Sequence, residues 1–371
     1  MDNWNIRSWS EVLKIVNGKN QKEVQEQDGE YPIYGSGGIM AYANDYLCDA
    51  NTTVIGRKGT INSPIYVETK FWNVDTAFGI SPGKELEPKF LYYFCLSYDF
   101  TRHNKSTTLP SLAKRDLLKV KMPVPSDLET QKGIVLKLDT FFDNINNAIK
   151  LLEKNISHSQ ALMGSILDET FSNGEIPLKK ACTIGPKKSE VRNLNSNLEV
   201  SFLPMRDLNE HQIDFDVKEE KPLGEVYKGY TYFAEEDVIL AKVTPCFENG
   251  KASVAKNLVN GIGFGSSEYH ILRPNEGVLS EWIYFALLSE QFRVTGKENM
   301  TGSGGLKRVP RRFVENWKIP LPKLEIQQKE INRLKEVQEY TSNLEHEYDN
   351  EIRNLEALKK SLLDKAFKGE L

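Results

Sequence analysis

VKMPVPSDLE, residues 120–129, has a second version in WKIPLPKLE, residues 317–325. With the chain displaced against itself by about 196 residues, the match runs on through the following segments, a repeat long enough to set the architecture. Both copies close on Gly-Glu and an aliphatic residue, at Gly174–Ile176 and Gly369–Leu371. The repeat predicts two halves, each a variable globular part followed by a common segment, with a pseudo-two-fold relation between them.

The common segments have the pattern of long amphipathic helices. Ser126 and Glu129 have the spacing of a capping box, and Gly174 and Gly369 stand where a helix would stop. Each helix should therefore run for about 45 residues, or about 65 Å. Apolar residues recur at spacings of three and four, as one face of a helix requires. The predicted stripes are Val135, Leu138, Phe141, Phe142, Ile145, Ala148, Leu152, Ile156, Leu162 and Ile166, and Ile331, Leu334, Val337, Leu344, Tyr348, Ile352, Leu355, Leu358 and Leu362.

Two helices of matched length are best buried against each other, as an antiparallel coiled coil. The residues expected to make this spacer contact are Phe142, Ile145, Leu152, Leu344, Ile352 and Leu355. The alternative is that each helix packs separately on its own globular domain. The fold class predicted is α+β, with two globular α/β domains separated by the paired helices. The boundaries are 1–122, 123–176, 177–319 and 320–371.

The globular segments show a similar order of elements. TTVIG (52–56), SPIYV (63–67) and TAFGI (76–80) read as strands, and a helix is expected at residues 89–96. In the second half, DVILAKV (237–243) and EYHILRP (268–274) read as strands, followed by a helix in SEWIYFALLS (280–289). The repeat is therefore expected to extend weakly through the globular parts.

Composition narrows the class of protein. The 371 residues are 39% hydrophobic and 27% charged with a net charge of −4, which is ordinary for a soluble globular chain. We see no membrane span and no secretion signal, and the four cysteines are scattered, so a reducing cytoplasm is expected. A phosphate-binding loop, a nucleophile elbow and a clustered His/Cys ligand set are all missing from the sequence. The Gly261–Gly265 run lacks the spacing of a dinucleotide loop, and a strand-like segment follows it. The sequence therefore predicts neither catalytic residues nor a metal site.

Two features point to nucleic acid. A Gly-Ser-Gly-Gly turn occurs at Gly35–Gly38 and again at Gly302–Gly305, and such turns let backbone amides approach an anion closely, although many are simple hairpins. Basic residues, interleaved with Ser, Thr and Asn, outnumber acidic ones just before each long helix. An ordinary solvated face is the alternative. The residues expected to contact DNA are Tyr34, Ser36, Arg57, Lys58, Thr60, Arg102, Lys105, Ser106, Lys114, Lys242, Thr244, Asn249, Lys251, Ser303, Lys307, Arg308, Arg311 and Arg312.

At these residues the chain resembles the specificity subunit of type I restriction-modification enzymes. YPIYGSGG (31–38), IGRKGTI (55–61), FWNVDTAF (71–78) and LPSL (109–112) look like one type of target recognition domain, and VTPCFENGK (243–251) with GFGSSEYHILRP (263–274) looks like another. PVPSDLETQK and PLPKLEIQQK look like the start of that family's spacer helices. The resemblance covers essentially the whole chain.

The resemblance implies a non-catalytic subunit that binds a split, asymmetric site in double-stranded DNA. Its expected partners are two methyltransferase subunits and possibly restriction/translocase subunits. S-adenosylmethionine, ATP and Mg²⁺ would then belong to the partners, with no cofactor in this chain. Two alternatives remain: a stand-alone DNA-binding protein or orphan methylation guide, and an enzyme that holds a nucleotide in its Gly-Ser-Gly-Gly loops.

Overall fold

The computed structural model of the chain describes residues 4–303 and 305–371. Contacts divide the chain into two units. Unit 1 comprises Met1–Glu153 with Asp349–Leu371, and unit 2 comprises Lys154–Tyr348. Each unit therefore contains one globular domain, the start of one long helix and the end of the other.

The globular domain of unit 1 is a β-rich segment that leads into the first long helix. Its strands are β1 Trp4–Ser8, β2 Leu13–Asn17, β3 Tyr31–Gly35, β4 Gly38–Ala43, β5 Thr52–Gly56, β6 Ile65–Val67, β7 Trp72–Asn73, β8 Ala77–Pro82 and β9 Lys121–Pro125. Its helices are α1 Trp9–Val12, α2 Pro88–Ser97, α3 Lys114–Leu117 and α4 Leu128–Phe171.

The domain of unit 2 follows the same plan. Its strands are β10 Ile176–Pro177, β11 Cys182–Ile184, β12 Glu199–Leu203, β13 Glu219–Pro222, β14 Thr231–Ala234, β15 Val238–Ala241, β16 Ala252–Val254, β17 Ile262–Gly265, β18 Tyr269–Pro274, β19 Thr301–Ser303, β20 Leu306–Arg308 and β21 Lys318–Ile319. Its helices are α5 Leu178–Ala181, α6 Leu223–Val226, α7 Ser280–Leu288, α8 Glu290–Glu298, α9 Arg311–Asn316 and α10 Leu324–Phe367.

The two domains share a sheet topology, to which unit 2 adds strand β14 and the β19–β20 hairpin. An antiparallel sheet has the order β2-β8-β5-β6 in unit 1 and β11-β18-β15-β16 in unit 2. A second sheet has the order β4-β3-β7 in unit 1 and β13-β12-β17-β14 in unit 2, and in each its second strand pairs with its third in parallel. A short pair, β1 with β9 or β10 with β21, joins the two ends of each domain beside its helix. The predicted internal repeat is thus confirmed through the globular parts, where the sequences differ most.

Within each unit the long helices run antiparallel. In unit 1, Leu138 of α4 and Leu363 and Ala366 of α10 are buried in one core with Trp9 and Phe90. In unit 2 the other ends meet: Leu167 and Phe171 share a core with Ile331, Leu334 and Trp282. The start of each helix therefore lies beside the end of its partner, which confirms the antiparallel pairing. Both sequence-based alternatives hold in part, because each helix also packs on a globular domain.

The helix ends differ in detail from the prediction. Helix α4 begins at Leu128, and the Asp127 carboxylate accepts the Thr130 amide at 2.7 Å, so Asp127 caps the first turn beside the predicted Ser126–Glu129 box. At its other end Asn173, with φ 56°, takes the left-handed position expected of Gly174. A Cβ on Gly174 would lie 2.4 Å from the backbone of Ile319, so this glycine is needed for close packing instead.

The C-terminal end of α10 agrees with the prediction. Gly369 has φ 73°, and the Glu370 amide donates to the Lys365 carbonyl at 2.9 Å. This is the bond of a glycine-terminated helix that caps the last free carbonyls.

The predicted apolar stripe is partly wrong in the middle of the helices. Phe141, Leu162 and Leu358 are 42%, 50% and 46% exposed. Polar residues occupy the protected positions instead: Ser159 and Thr341 are buried in unit 2. A search for apolar spacing alone passes over such positions. Of the six residues expected at the helix contact, Ile145 is buried and the others, Phe142, Leu152, Leu344, Ile352 and Leu355, are half-buried.

Across residues 4–303 and 305–371, none of the helices combines the length and apolar character that a bilayer crossing requires. The same residues contain no group of three or more His, Cys, Asp or Glu side chains arranged to hold a metal ion.

Candidate nucleic-acid interface

Three loops of the first domain come together where the sequence placed separate candidates. The loop after β5 carries Arg57 and Lys58, and it is bonded to the segment before α3: the Leu112 amide donates to the Arg57 carbonyl at 2.9 Å and the Gly59 amide to the Pro110 carbonyl at 3.0 Å. The β3–β4 turn lies against the same loop, because a Cβ on Gly59 would be 3.6 Å from the Ser36 hydroxyl. Loops far apart in sequence thus form one surface with Ser36, Arg57, Lys58, Thr60, Lys105 and Ser106.

The second domain repeats this arrangement bond for bond. The Val309 amide donates to the Lys242 carbonyl at 2.8 Å, and the Thr244 amide donates to the Lys307 carbonyl at 3.0 Å. Isolated bridges stand at matching places, Lys58 with Ser111 and Val243 with Arg308. Both domains therefore hold the loop after the third strand of the four-stranded sheet against the segment before the last short helix through matching main-chain bonds, and in the second domain the Thr244 hydroxyl also donates to the Lys307 carbonyl.

The two Gly-Ser-Gly-Gly motifs are both hairpin turns, and they occupy different places in the two domains. Gly35 and Gly38 close the β3–β4 hairpin as register partners. The second motif joins β19 to β20, where Ser303 pairs with Leu306. Gly304 lies outside the described residues. The glycine motif therefore does not repeat in position. The feature that repeats is a loop ladder of main-chain bonds, Arg57–Leu112 and Gly59–Pro110 in the first domain and Lys242–Val309 and Thr244–Lys307 in the second.

Some of the predicted contact residues are exposed and uncommitted. Lys58, Lys307 and Arg312 are exposed and Lys251 is half-buried, and none of these four side chains makes an ion pair within the part of the chain that the structure describes. Arg57 reaches the Asp75 carbonyl at 3.3 Å and lies over the ring of Phe78. Lys58, Lys307 and Arg312 are therefore available to phosphates without loss of an internal ion pair, whereas Arg57 would have to give up its contacts with Asp75 and Phe78.

Other predicted residues already have partners inside the protein. Arg308 forms a two-pronged pair with Glu268, each bond 2.8 Å long. Arg311 donates to the Ile184 carbonyl at 2.6 Å and to Glu315 at 2.7 Å. Lys114 donates to the Ile15 carbonyl at 2.6 Å. These contacts occupy the side chains inside the protein. Arg308, Arg311 and Lys114 are therefore weaker candidates for DNA contact than their neighbours.

The remaining candidates have lesser commitments. Lys105 and Asp116 form a 2.5 Å pair, and Arg102 lies 3.7 Å from Asp99. The other contacts are Lys242 with the Ser267 carbonyl, Thr244 with the Lys307 carbonyl, Asn249 with Glu210, Ser106 with the Leu109 amide, and Tyr34 stacked edgewise on Phe71. Ser303 and Thr60 are exposed.

Local electrostatics fit a surface organised around cations. The hydrogen bond from Arg308 holds the pKa of Glu268 below its usual range, and the bond from Lys105 does the same for the pKa of Asp116. Burial lowers the pKa of His270, whose Nε2 lies 3.0 Å from the Val309 carbonyl. A neutral His270 can donate this bond and thereby hold the end of β20 in place.

Sequence reasoning missed the residues that shape the loops. The Asn104 side chain accepts from the Ser106 and Ser111 amides at 3.0 and 2.9 Å and donates to the Ser106 carbonyl. The Asn-x-Ser spacing signals such a local turn and could have been used. The roles of Glu268 and His270 depend on partners about 40 residues away, which no local pattern reveals.

Comparison with known proteins agrees with the division of the chain into two similar halves. The model of the "type I restriction modification DNA specificity domain" family matches residues 1–154 and 169–354. The EcoEI specificity subunit from Escherichia coli is 43% identical over 148 residues, 40% of this chain and 24% of the relative. The EcoDI specificity subunit from Escherichia coli is 21% identical over 99% of this chain and 88% of its own length. The chain thus spans only about a quarter of the relative with the higher identity.

Solved structures show the same fold over the whole chain. A chain from a study of complex assembly and conformational transition of the type I R-M system superposes with a TM-score of 0.75 at 16% identity, covering 100% of this chain and 99% of that one. The HsdS subunit from Thermoanaerobacter tengcongensis gives a TM-score of 0.54 at 17% identity, covering 100% and 97%. Since the family model also matches most of the sequence, the chain belongs to the family of type I restriction-modification DNA specificity domains.

Proposed function

We propose that this chain is the DNA-recognition subunit of a type I restriction-modification complex. It binds a bipartite, asymmetric site in double-stranded DNA, and each globular domain reads one half-site. Membership of the specificity family supports the role. The duplicated loop ladder is the observation that carries it.

The ladder explains why each domain suits recognition. Main-chain bonds fix the loops, so their side chains are free to differ. Lys58 in the first domain stands where the second has Val243, and Pro110 stands where it has Lys307. The same scaffold therefore carries a lysine at a different position in each domain, Lys58 in the first and Lys307 in the second. Different side chains at one geometry predict different half-sites, because sequence is read by contacts to base edges.

The chemistry of methylation and cleavage belongs, in this proposal, to partner subunits. Two methyltransferase subunits would bring S-adenosylmethionine, and restriction/translocase subunits would bring ATP and Mg²⁺. This chain would place the partners on the DNA: its domains would bind the target sequence, and its paired helices would bind the partner subunits. Purified chain incubated with DNA and labelled S-adenosylmethionine should transfer no label. Transfer without a partner would contradict the proposal.

Methylome sequencing tests the recognition role directly. Cells that carry the chain with its methyltransferase should methylate one bipartite motif, and deletion of the chain should abolish that methylation. Replacement of residues 1–122 by the equivalent domain of a relative should change one half-site only. If both half-sites change together, the domains do not read independently.

A further inference from the structure

The first long helix is fastened to its domain by one buried glutamine. Gln131, the fourth residue of α4, is fully buried. Its side-chain oxygen accepts the Glu87 amide at 2.8 Å, and its nitrogen donates to the carbonyls of Glu85 and Pro125 at 3.0 and 3.2 Å. All three partners are main-chain atoms.

The second helix has the same fastening. Gln327, the fourth residue of α10, is also fully buried. Its oxygen accepts the Leu279 amide at 3.0 Å, and its nitrogen donates to the carbonyls of Gly277 and Pro322 at 3.0 and 2.7 Å. The three bonds have the same types and the same order along the chain as those of Gln131.

The partners explain what the glutamine holds. Glu87 and Leu279 are the residues that precede α2 and α7, the central helices of the two domains, and Glu85 and Gly277 lie two residues earlier. Pro125 and Pro322 lie in the segments that enter α4 and α10. One side-chain amide thus ties the start of the domain helix to the root of the long helix. Its two N–H groups and one oxygen are all satisfied, as a buried amide requires.

A second polar contact fixes the same pair of helices in each unit. Asp139 of α4 accepts from Lys89 at 3.1 Å and from the Tyr93 hydroxyl at 2.5 Å. Glu281 of α7 accepts from Lys335 of α10 and from Lys256, both at 2.7 Å. Hydrogen bonds weaken steeply when their angles change, so bonds to fixed carbonyls resist rotation of one helix on the other. Two polar contacts at separate points therefore define one angle between the domain helix and the long helix.

We propose that Gln131 and Gln327 are positioning residues that fix the angle of each recognition domain on its long helix, and thereby the number of base pairs allowed between the half-sites. They touch no DNA. The inference rests on the proposed function, because it concerns how a bipartite site is measured.

The test replaces Gln327 by Glu, which keeps the shape but removes both donors and sets a carboxylate against two carbonyls. The full complex with its methyltransferase is used, and the methylome is read. We expect the bases of both half-sites to stay unchanged. Methylation at sites whose spacer is one base pair too long or too short should rise about tenfold over wild type, equivalent to about 1.4 kcal/mol. Gln131→Glu should do the same. Gln328→Glu is the matched control, because that neighbouring side chain is exposed and, among the described residues, hydrogen-bonds to Asn332 alone.

The outcomes separate the two proposals. If the wild-type complex yields no bipartite motif of fixed spacing, the proposed function fails. If it does, and Gln327→Glu keeps the spacing as strictly as Gln328→Glu, the positioning role is refuted. A change in the bases read would also refute it. Should Gln327→Glu fail to fold by circular dichroism, Gln327→Asn decides: its amide is one methylene too short to reach all three partners, and strict spacing in that variant overturns the inference.

Discussion

Lys307 offers the sharpest test of the recognition surface. Its side chain is exposed on β20 and has no ion pair within the described residues, while its carbonyl anchors the loop ladder through Thr244. Lys307→Ala removes the charge and leaves the main chain intact. Loss of one phosphate contact should lower the slope of log K against log salt by about 0.9. Between 50 and 200 mM salt, affinity should then fall about three- to fourfold less steeply than in wild type.

The adjacent residue supplies the control. Arg308 is already bonded to Glu268, so Arg308→Met combined with Glu268→Gln removes both charges and leaves the net charge unchanged. DNA binding by the assembled complex is measured by anisotropy across the salt range. We expect the double variant to keep the wild-type slope. Equal slopes for Lys307→Ala and wild type, in a folded protein, would show that Lys307 does not face DNA. An equal loss in the double variant would show that Arg308 leaves Glu268 to bind phosphate.

Four further outcomes are expected. Arg312→Ala should lower the slope of log K against log salt by about one unit, whereas Arg311→Ala should destabilise unit 2 by about 1–2 kcal/mol because the Ile184 carbonyl loses its partner. A thermal scan and a salt titration of both variants separate these effects. An Arg311→Ala variant as stable as wild type would contradict the structural role of Arg311. Asp127→Ala should speed amide exchange in the first turn of α4, while Asp127→Asn should retain most of the cap. Since burial lowers the pKa of His270, the unfolded chain binds a proton at this residue before the folded chain does, and stability should fall as pH drops below about 6.5. His270→Gln can still donate to Val309, so the variant's melting temperature should change less than that of wild type between pH 7.5 and 5.5. The change that remains is due to His211, whose pKa burial also lowers. Four residues inserted after Asn155 add about 6 Å and slightly more than one turn, so the methylome should show the same half-sites with a spacer one or two base pairs longer. An insertion of two residues rotates the apolar stripe by about 200° and should abolish activity. Unchanged spacing in the four-residue variant would show that the length of the helices does not set the distance between the half-sites.

Repetition and periodicity are the parts of this fold that sequence could predict. Both long helices have 44 residues, close to the predicted 45, because capping and glycine signals lie near their ends. Strand β5 has the predicted bounds, and α2 and α7 match within one residue at each end. These features depend on neighbours within one turn or one strand, where local patterns carry the information.

Long-range polar pairing could not be predicted in the same way. Gln131 and Gln327 looked like ordinary helix-surface residues, since nothing nearby signals that main-chain atoms about 45 to 50 residues away surround them. Ser159 and Thr341 likewise occupy protected positions that a search for apolar residues passes over, whereas Leu162 and Leu358 of the predicted stripe are exposed. The candidate site follows the same division. Sequence located its basic segments, but only the fold shows that Arg308 is bonded to Glu268 while Lys307 is free.

The division between main chain and side chain also explains how such a protein can change what it reads. The bonds of the loop ladder that both domains share join amides to carbonyls, which every residue except proline supplies in full. Substitution at Arg57, Lys58 or Lys307 therefore leaves the scaffold bonds in place. The glutamine at the start of each long helix differs from these residues, because its side chain itself makes the structural bonds to three main-chain groups. Recognition residues should thus accept many replacements without loss of folding, whereas replacement of either glutamine should lower stability and relax the spacing between the half-sites.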